Sequence, residues 1–346
     1  MGEIKISKFK NVNLNDHFFD SLKEDYSGFE SWFKGKAEED IYILDKNSSV
    51  QAFLYMKVET KDDFDIIPPL VLKGEKILKV GTFKINAHGS KLGERFIKLI
   101  FDKMIEENIT KSYVTIYEKQ GTLISLLTKY GFNYYGTKKG EKVYLKDFNK
   151  ITGEVKKDYP IVRLKETKKF LLSIYPEYHT ELFPDSRLKT EKNHIVKDLS
   201  HTNCIEKVYL SRAKDIMNYK KGDIVVIYRT AEAGKKAEYN AVVTSICTIY
   251  KTESVSNFLD KESFFKYCSK RTIFEEDELN EVWKNKKYFY IVKLLYNAAL
   301  NKRIIRKELL DEIGVSREAR LVVYPLSDIQ IQQILNRGEV SNLIIK

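Results

Sequence analysis

Residues 76–94, Lys-Ile-Leu-Lys-Val-Gly-Thr-Phe-Lys-Ile-Asn-Ala-His-Gly-Ser-Lys-Leu-Gly-Glu, decide how this chain reads. The segment is a strand, a very short turn, a glycine-punctuated loop and the start of a helix expected over Arg95–Glu107. In that helix Phe96, Ile97, Leu99, Ile100, Met104 and Ile105 recur at the spacing of one buried stripe. A strand feeding a glycine-bearing loop at a helix start leaves backbone N–H groups unpaired and pointing outward. With the positive end of the helix dipole they form a site suited to phosphate. Gly89 and Gly93 let the backbone approach a ligand closely because they carry no Cβ.

Working outward, a second strand is expected at Ser112–Ile116, a helix at about Thr122–Lys129, and then Gly131-Phe132. This order resembles the core of the GNAT N-acetyltransferase superfamily over roughly residues 15–147. A plain βα unit of an α/β domain shares the same glycine-rich loop. The family's loop reads Arg/Gln-x-x-Gly-x-Gly/Ala, and the matching positions here are His88, Lys91 and Gly93. Lys91 thus stands where a glycine is usual. The resemblance implies acetyl-CoA as cofactor, with its pyrophosphate on His88, Gly89, Ser90, Lys91, Leu92, Gly93 and Glu94. It also implies that backbone groups of Phe83 and Ile85 pair with the pantetheine amides, as an added strand would. Many members carry a tyrosine four residues before the closing Gly-Phe pair to protonate the departing thiolate. That position is Leu127 here, which leaves Tyr130 and Tyr117 as candidates for a general acid. Each also reads as an ordinary core or rim tyrosine.

Upstream, Phe18–Tyr26 and Gly28–Gly35 read as short helical pieces around the acceptor entrance. Asp40–Leu44 and Ser49–Glu59 alternate like antiparallel strands joined by a turn at Asp45–Ser48. The 346 residues suffice for two domains, and 43% hydrophobic content with six prolines and sixteen glycines reads as folded throughout. Cys204, Cys247 and Cys268 are widely spaced, which fits reduced thiols and neither a disulfide framework nor a zinc site. His17, His88, His179, His194 and His201 are scattered, so no metal is expected. No apolar run is long enough for a bilayer and no leader segment is evident, so no membrane partner and a cytoplasmic location are expected.

The net charge of +11 is uneven. Residues 1–150 hold 25 basic and 22 acidic side chains, whereas residues 151–346 hold 35 and 27. A polar stretch near 148–160 marks the boundary, giving domains at 1–150 and 158–346. In the second half, strands are expected at Cys204–Leu210, Ile224–Thr230, Tyr239–Tyr250, Tyr288–Tyr296 and Leu321–Tyr324. Helices are expected at Val255–Tyr267, Phe274–Trp283, Ile305–Ile313 and Asp328–Leu335. The run Lys221-Gly-Asp-Ile-Val-Val-Ile-Tyr228, with Ala241-Val-Val-Thr-Ser-Ile246 beyond a polar hairpin tip, resembles the PUA-like superfamily, including its ASCH and EVE branches. The fold class is therefore α+β with two domains: a GNAT-like mixed sheet with helices, then a PUA-like small β-barrel with inserted helices.

The resemblance implies an RNA partner, held through Arg212, Lys214 and Arg229 and extended by Arg303 and Arg306. Two functions fit. One is an N-acetyltransferase acting on an RNA-associated amine, such as an aminoacyl-tRNA, as toxins of this superfamily do. The other is a nucleic-acid-binding regulator that keeps acetyl-CoA as a sensed ligand. Either leaves room for a controlling protein partner.

Overall fold

The computed structural model describes residues 4–47, 49–60, 64–86, 89–188 and 199–340. They form two compact units that divide between Lys150 and Ile151.

Among the described residues the first unit is a seven-stranded sheet. Its strands are β1 (Ile4–Lys8), β2 (Asp40–Lys46), β3 (Ser49–Glu59), β4 (Ile77–Ile85), β5 (Lys111–Ile116), β6 (Asn133–Lys138) and β7 (Glu141–Asp147). They lie in the order β1-β2-β3-β4-β5-β7-β6. All neighbours run antiparallel except β4 and β5, and a parallel pair requires a crossover. The helices are α1 (Asp20–Asp25), α2 (Phe29–Lys34), α3 (Leu92–Glu106) and α4 (Gly121–Lys129), and α3 is that crossover. Phe96, Ile97, Ile100, Phe101 and Met104 of α3 are wholly buried, whereas Leu99 and Ile105 are half-buried, so the apolar stripe is rotated slightly from expectation. A separate aromatic cluster packs Phe9, Phe19, Phe29, Phe33 and Phe53 beneath β2 and β3. The Phe9 and Phe33 rings meet edge to face at 4.8 Å.

α3 begins at Leu92, three residues earlier than the pattern of apolar residues indicates. Lys91, in the left-handed conformation at φ 59°, is its N-cap and supplies no side-chain cap. Gly93 therefore sits in the first helical turn and not in the loop. A Cβ there would meet Leu126 Cδ2 at 2.8 Å, so this glycine lets α3 and α4 pack closely.

The second unit is one six-stranded sheet, ordered β13-β8-β10-β11-β12-β9. Its strands are β8 (Lys169–Ile174), β9 (Glu206–Ser211), β10 (Ile224–Arg229), β11 (Val242–Ser254), β12 (Tyr290–Ile305) and β13 (Val323–Pro325). β8 and β10 are parallel and the remaining pairs antiparallel. Among the described residues β13 and β9 end the ladder, so the sheet is open where a small barrel was expected. β12 runs nine residues beyond its expected end at Tyr296, pairing with β11 through three register shifts. The bulges let it absorb the polar Asn301-Lys302-Arg303 segment, which reads as a loop by composition. The helix expected at Val255–Tyr267 is a 3-10 turn at Val255–Asn257 followed by a helix at Lys261–Cys268, whose N-cap Asp260 accepts from Ser263 N–H. The core of this unit gathers Phe170, Leu172, Val225, Ile227 and Leu294.

Candidate functional sites: a splayed-strand cleft and an arginine-rimmed cleft

β4 and β5 bond to each other only over Ile77–Val80 and Lys111–Val114. Past these positions β4 continues to Ile85 against β3, and β5 continues to Ile116 against β7. The two parallel strands therefore separate halfway along their length. Gly81 marks the point of separation. Val80 faces Met56 and Thr82 faces Tyr55, so Gly81 is an extra residue opposite β3, a bulge that sharpens the local twist. A Cβ at Gly81 would lie 2.6 Å from Cδ1 of Tyr55, whose ring occupies that space.

The gap opens a cavity of about 470 Å³. β4 lines it with Gly81, Thr82 and Phe83, β5 with Val114, Thr115 and Ile116, and the α4 end with Gln120 and Leu123. Tyr26, Phe29 and Trp32 close it from α1, α2 and their junction.

One face of the sheet brings charge into this cleft. By register Lys79 is paired with Lys57 on β3 and with Tyr113 on β5, and Glu59 lies two residues beyond Lys57. The Tyr113 hydroxyl donates to Glu59 Oε2 at 2.7 Å, and the Tyr26 hydroxyl donates to Glu141 Oε1 at 2.8 Å. Burial, reinforced by the neighbouring carboxylates, raises both phenols well above the usual tyrosine range, so each remains a donor at neutral pH. Burial draws Lys79 below the usual lysine range although Glu59 and Glu141 oppose that shift. Glu59, Lys79, Glu141 and Tyr26 were not singled out from the sequence. A signal for two of them, Glu59 and Lys79, was present, because Tyr55-x-Lys57-x-Glu59 and Lys79 put polar groups inside otherwise apolar strands.

The other expected residues of this unit fall in different places. Phe83 lines the cleft and stacks on Phe96 at 5.9 Å, whereas Ile85 lies at the end of β4, outside the lining. Gly89 has φ 81°, and the loop leads through Lys91 into the α3 start. The Leu92 and Glu94 side chains are buried, with Glu94 held to Lys129 at 2.7 Å, so only backbone atoms at these two positions can face a ligand. His88 lies outside the described residues. Tyr117 is half-buried beside the cleft, its ring 5.2 Å from that of Tyr26. Tyr130 is wholly buried and does not line the cleft. It is a core residue, because the turn after α4 directs its ring inward and leaves its carbonyl to accept from Lys146.

In the second unit a cleft of about 930 Å³ is rimmed by Arg212, Arg306 and Arg320 and walled by Tyr175, Tyr178, Tyr209 and Phe274. The Arg212 guanidinium lies 4.9 Å from the Phe289 ring centroid. Burial and the hydrogen bond to Glu278 push Tyr178 up to about 12. Lys214 is exposed and is not part of the cleft lining. Arg229 and Arg303 correct the sequence reading. Arg229 is 2% exposed and its guanidinium pairs with Glu232 at 2.7 Å, as β10 is buried on both faces. Arg303 is half-buried and donates to the Asp185 carbonyl at 2.9 Å. Arg320, Tyr209 and Phe274 were missed, since they come from segments far apart in sequence.

No protein-family model and no curated protein sequence matches the chain. Solved structures of two kinds do. The ASCH protein of Zymomonas mobilis matches at 11% identity over 49% of this chain and 94% of its own, with a TM-score of 0.34. The N-acetyltransferase PseH of Campylobacter jejuni, in complex with acetyl coenzyme A, matches at 15% identity over 42% of this chain and 98% of its own, with a TM-score of 0.29. The PaiA N-acetyltransferase of Thermoplasma acidophilum, in complex with coenzyme A, gives 16% identity, the same coverages and a TM-score of 0.28. Among the described residues no group of His, Cys, Asp or Glu could hold a metal ion, and no helix is long and apolar enough to cross a membrane.

Proposed function

We propose that the first unit is an acetyl-CoA-dependent N-acetyltransferase and that the second, over residues 158–346, binds RNA and presents an RNA-associated amine to it. The observation that carries the first half is the separation of β4 from β5 at Gly81, with the α3 N-terminus following the end of β4 in the chain. The strand edge exposed past Val80 offers the amide pairing that a pantetheine arm needs, and the α3 start supplies N–H groups for its pyrophosphate. In this reading a β4 N–H next to the bulge polarises the thioester carbonyl. The acceptor amine enters over the face of Glu59 and Glu141, and either carboxylate can take its proton.

At the position the family uses, Leu127 has no proton to give, and the Tyr130 side chain is buried in the core away from the cleft, so neither protonates the thiolate. Tyr117 remains as a donor at the rim. Positioning and desolvation of the amine then carry much of the rate. The same two observations favour a second reading, a nucleic-acid-binding regulator that senses acetyl-CoA without turning it over.

Support for RNA in the second unit is the cleft that combines three guanidinium groups with tyrosine and phenylalanine rings. Guanidinium groups neutralise phosphate and the rings stack on bases. An aminoacylated tRNA meets both requirements. Thiol release from acetyl-CoA, measured with and without total aminoacylated tRNA, separates the two readings. Turnover that rises with the RNA supports the enzyme. Tight acetyl-CoA binding without thiol release supports the sensor.

A further inference from the structure

Lys79 is the unusual group in the first cleft. It stands on β4 two residues before Gly81, on the sheet face that carries Glu59 and Tyr113. Its Nζ lies 5.9 Å from the centroid of the Tyr113 ring, and the Tyr113 hydroxyl holds Glu59 at 2.7 Å. An amine, two carboxylates (Glu59 and Glu141) and the opening between the strands are thus gathered in one cavity. The other two lysines there are differently placed: Lys36 is paired with Glu39 at 2.6 Å, and Lys57 is exposed.

We propose that Lys79 is a self-acetylation site, whose amine takes the acetyl group when the cleft holds no acceptor. The proposal rests on the acetyltransferase reading of this cleft. In the reaction Glu59 or Glu141 takes a proton from the Lys79 ammonium. The neutral Nζ then attacks the thioester carbonyl carbon. An N–C bond forms, the C–S bond breaks, and coenzyme A leaves as the thiol, with the second amine proton passing to sulfur directly or through water. Burial already favours the neutral amine, with Glu59 and Glu141 opposing from β3 and β7 and Lys57 and Lys138 assisting from β3 and β6. The product is an uncharged amide at the mouth of the transfer site. It removes a cation from the cavity that also holds the two carboxylates and narrows the path an acceptor must take. Modification therefore lowers acceptor turnover.

The full chain is incubated with acetyl-CoA and no acceptor, and acetyl-lysines are located by peptide mass spectrometry over time. Acetyl-CoA affinity is measured by calorimetry on the same preparation. Acetylation of Lys79 at least about a hundredfold faster than of exposed Lys57 is expected, since a positioned amine gains orders of magnitude over a solution collision. Glu59→Gln combined with Glu141→Gln should slow it while leaving acetyl-CoA affinity in place. Equal rates at Lys79 and Lys57, or the same Lys79 rate in urea-unfolded chain, overturn the proposal while the cleft reading stands. Absence of acetyl-CoA binding overturns both.

Discussion

Gly81→Ala is the substitution that probes the transfer cleft most sharply. The added methyl carbon would sit 2.6 Å from Tyr55 Cδ1 and 2.9 Å from Cε1, well inside van der Waals contact. Tyr55 cannot swing aside at low cost. It is 3% exposed, its ring meets Phe9 at 5.1 Å and Trp32 at 5.8 Å, and its hydroxyl donates to Glu39. Overpacking of this kind costs about 1–3 kcal/mol. With a urea m-value of about 2 kcal/mol/M, the midpoint falls by about 0.5–1.5 M. Trp32 and Trp283 belong to different units, so Trp283→Phe leaves Trp32 as a fluorescence probe of the first unit alone. Gly81→Ala is measured in that background, by itself and with Tyr55→Val. The double variant should lose less stability than the sum of the two singles, because the methyl then enters the space of the missing ring. An unchanged midpoint for Gly81→Ala would refute the steric argument and remove the reason for glycine at the bulge.

Four further outcomes follow from the same geometry. Gly89→Val places a β-branched residue at φ 81° ahead of the α3 N-terminus and should abolish acetyl-CoA binding measurable by calorimetry, with far-UV circular dichroism unchanged. His179 is wholly buried, its Nε2 bonded to Thr244 at 2.8 Å, and burial holds it down at about 3. As pH falls below 6.5 the unfolded chain takes a proton that the folded chain refuses. Stability of the second unit should then drop by up to about 1.4 kcal/mol per pH unit until about pH 3, and His179→Gln should flatten that slope in urea titrations. Arg212→Ala should weaken RNA binding and reduce the log–log salt slope by about one, whereas Arg229→Ala should lower stability, because it removes a side chain that is 2% exposed and leaves a cavity between strands. Tyr130→Phe should leave turnover unchanged, since its ring does not reach the cleft.

The strand–loop–helix order around residues 76–94 was legible because a strand and an amphipathic helix carry different periods, and glycine punctuates the change. The splay itself was not. A bulge is one unpaired residue, and only the register against β3 exposes Gly81 as that residue. Gly93 was read as a loop glycine because helix ends depend on backbone conformation at Lys91, which composition does not encode. β8 was missed because Lys169–Ile174 is a short apolar run without alternation, buried between β10 and β13. For the same reason Arg229 looked like a surface cation. Its strand is buried throughout, and charge in a sequence does not tell a solvated arginine from one paired inside the fold. The cleft of the second unit draws Tyr175, Arg212, Phe274, Arg306 and Arg320 from five distant segments, and no local pattern links them.

The central claim is tested most directly by titrating the full chain with acetyl-CoA in a calorimeter. The account predicts saturable binding at one site per chain, competed by coenzyme A and lost in Gly89→Val. No heat of binding from a folded preparation, or binding unaffected by that substitution, would contradict it.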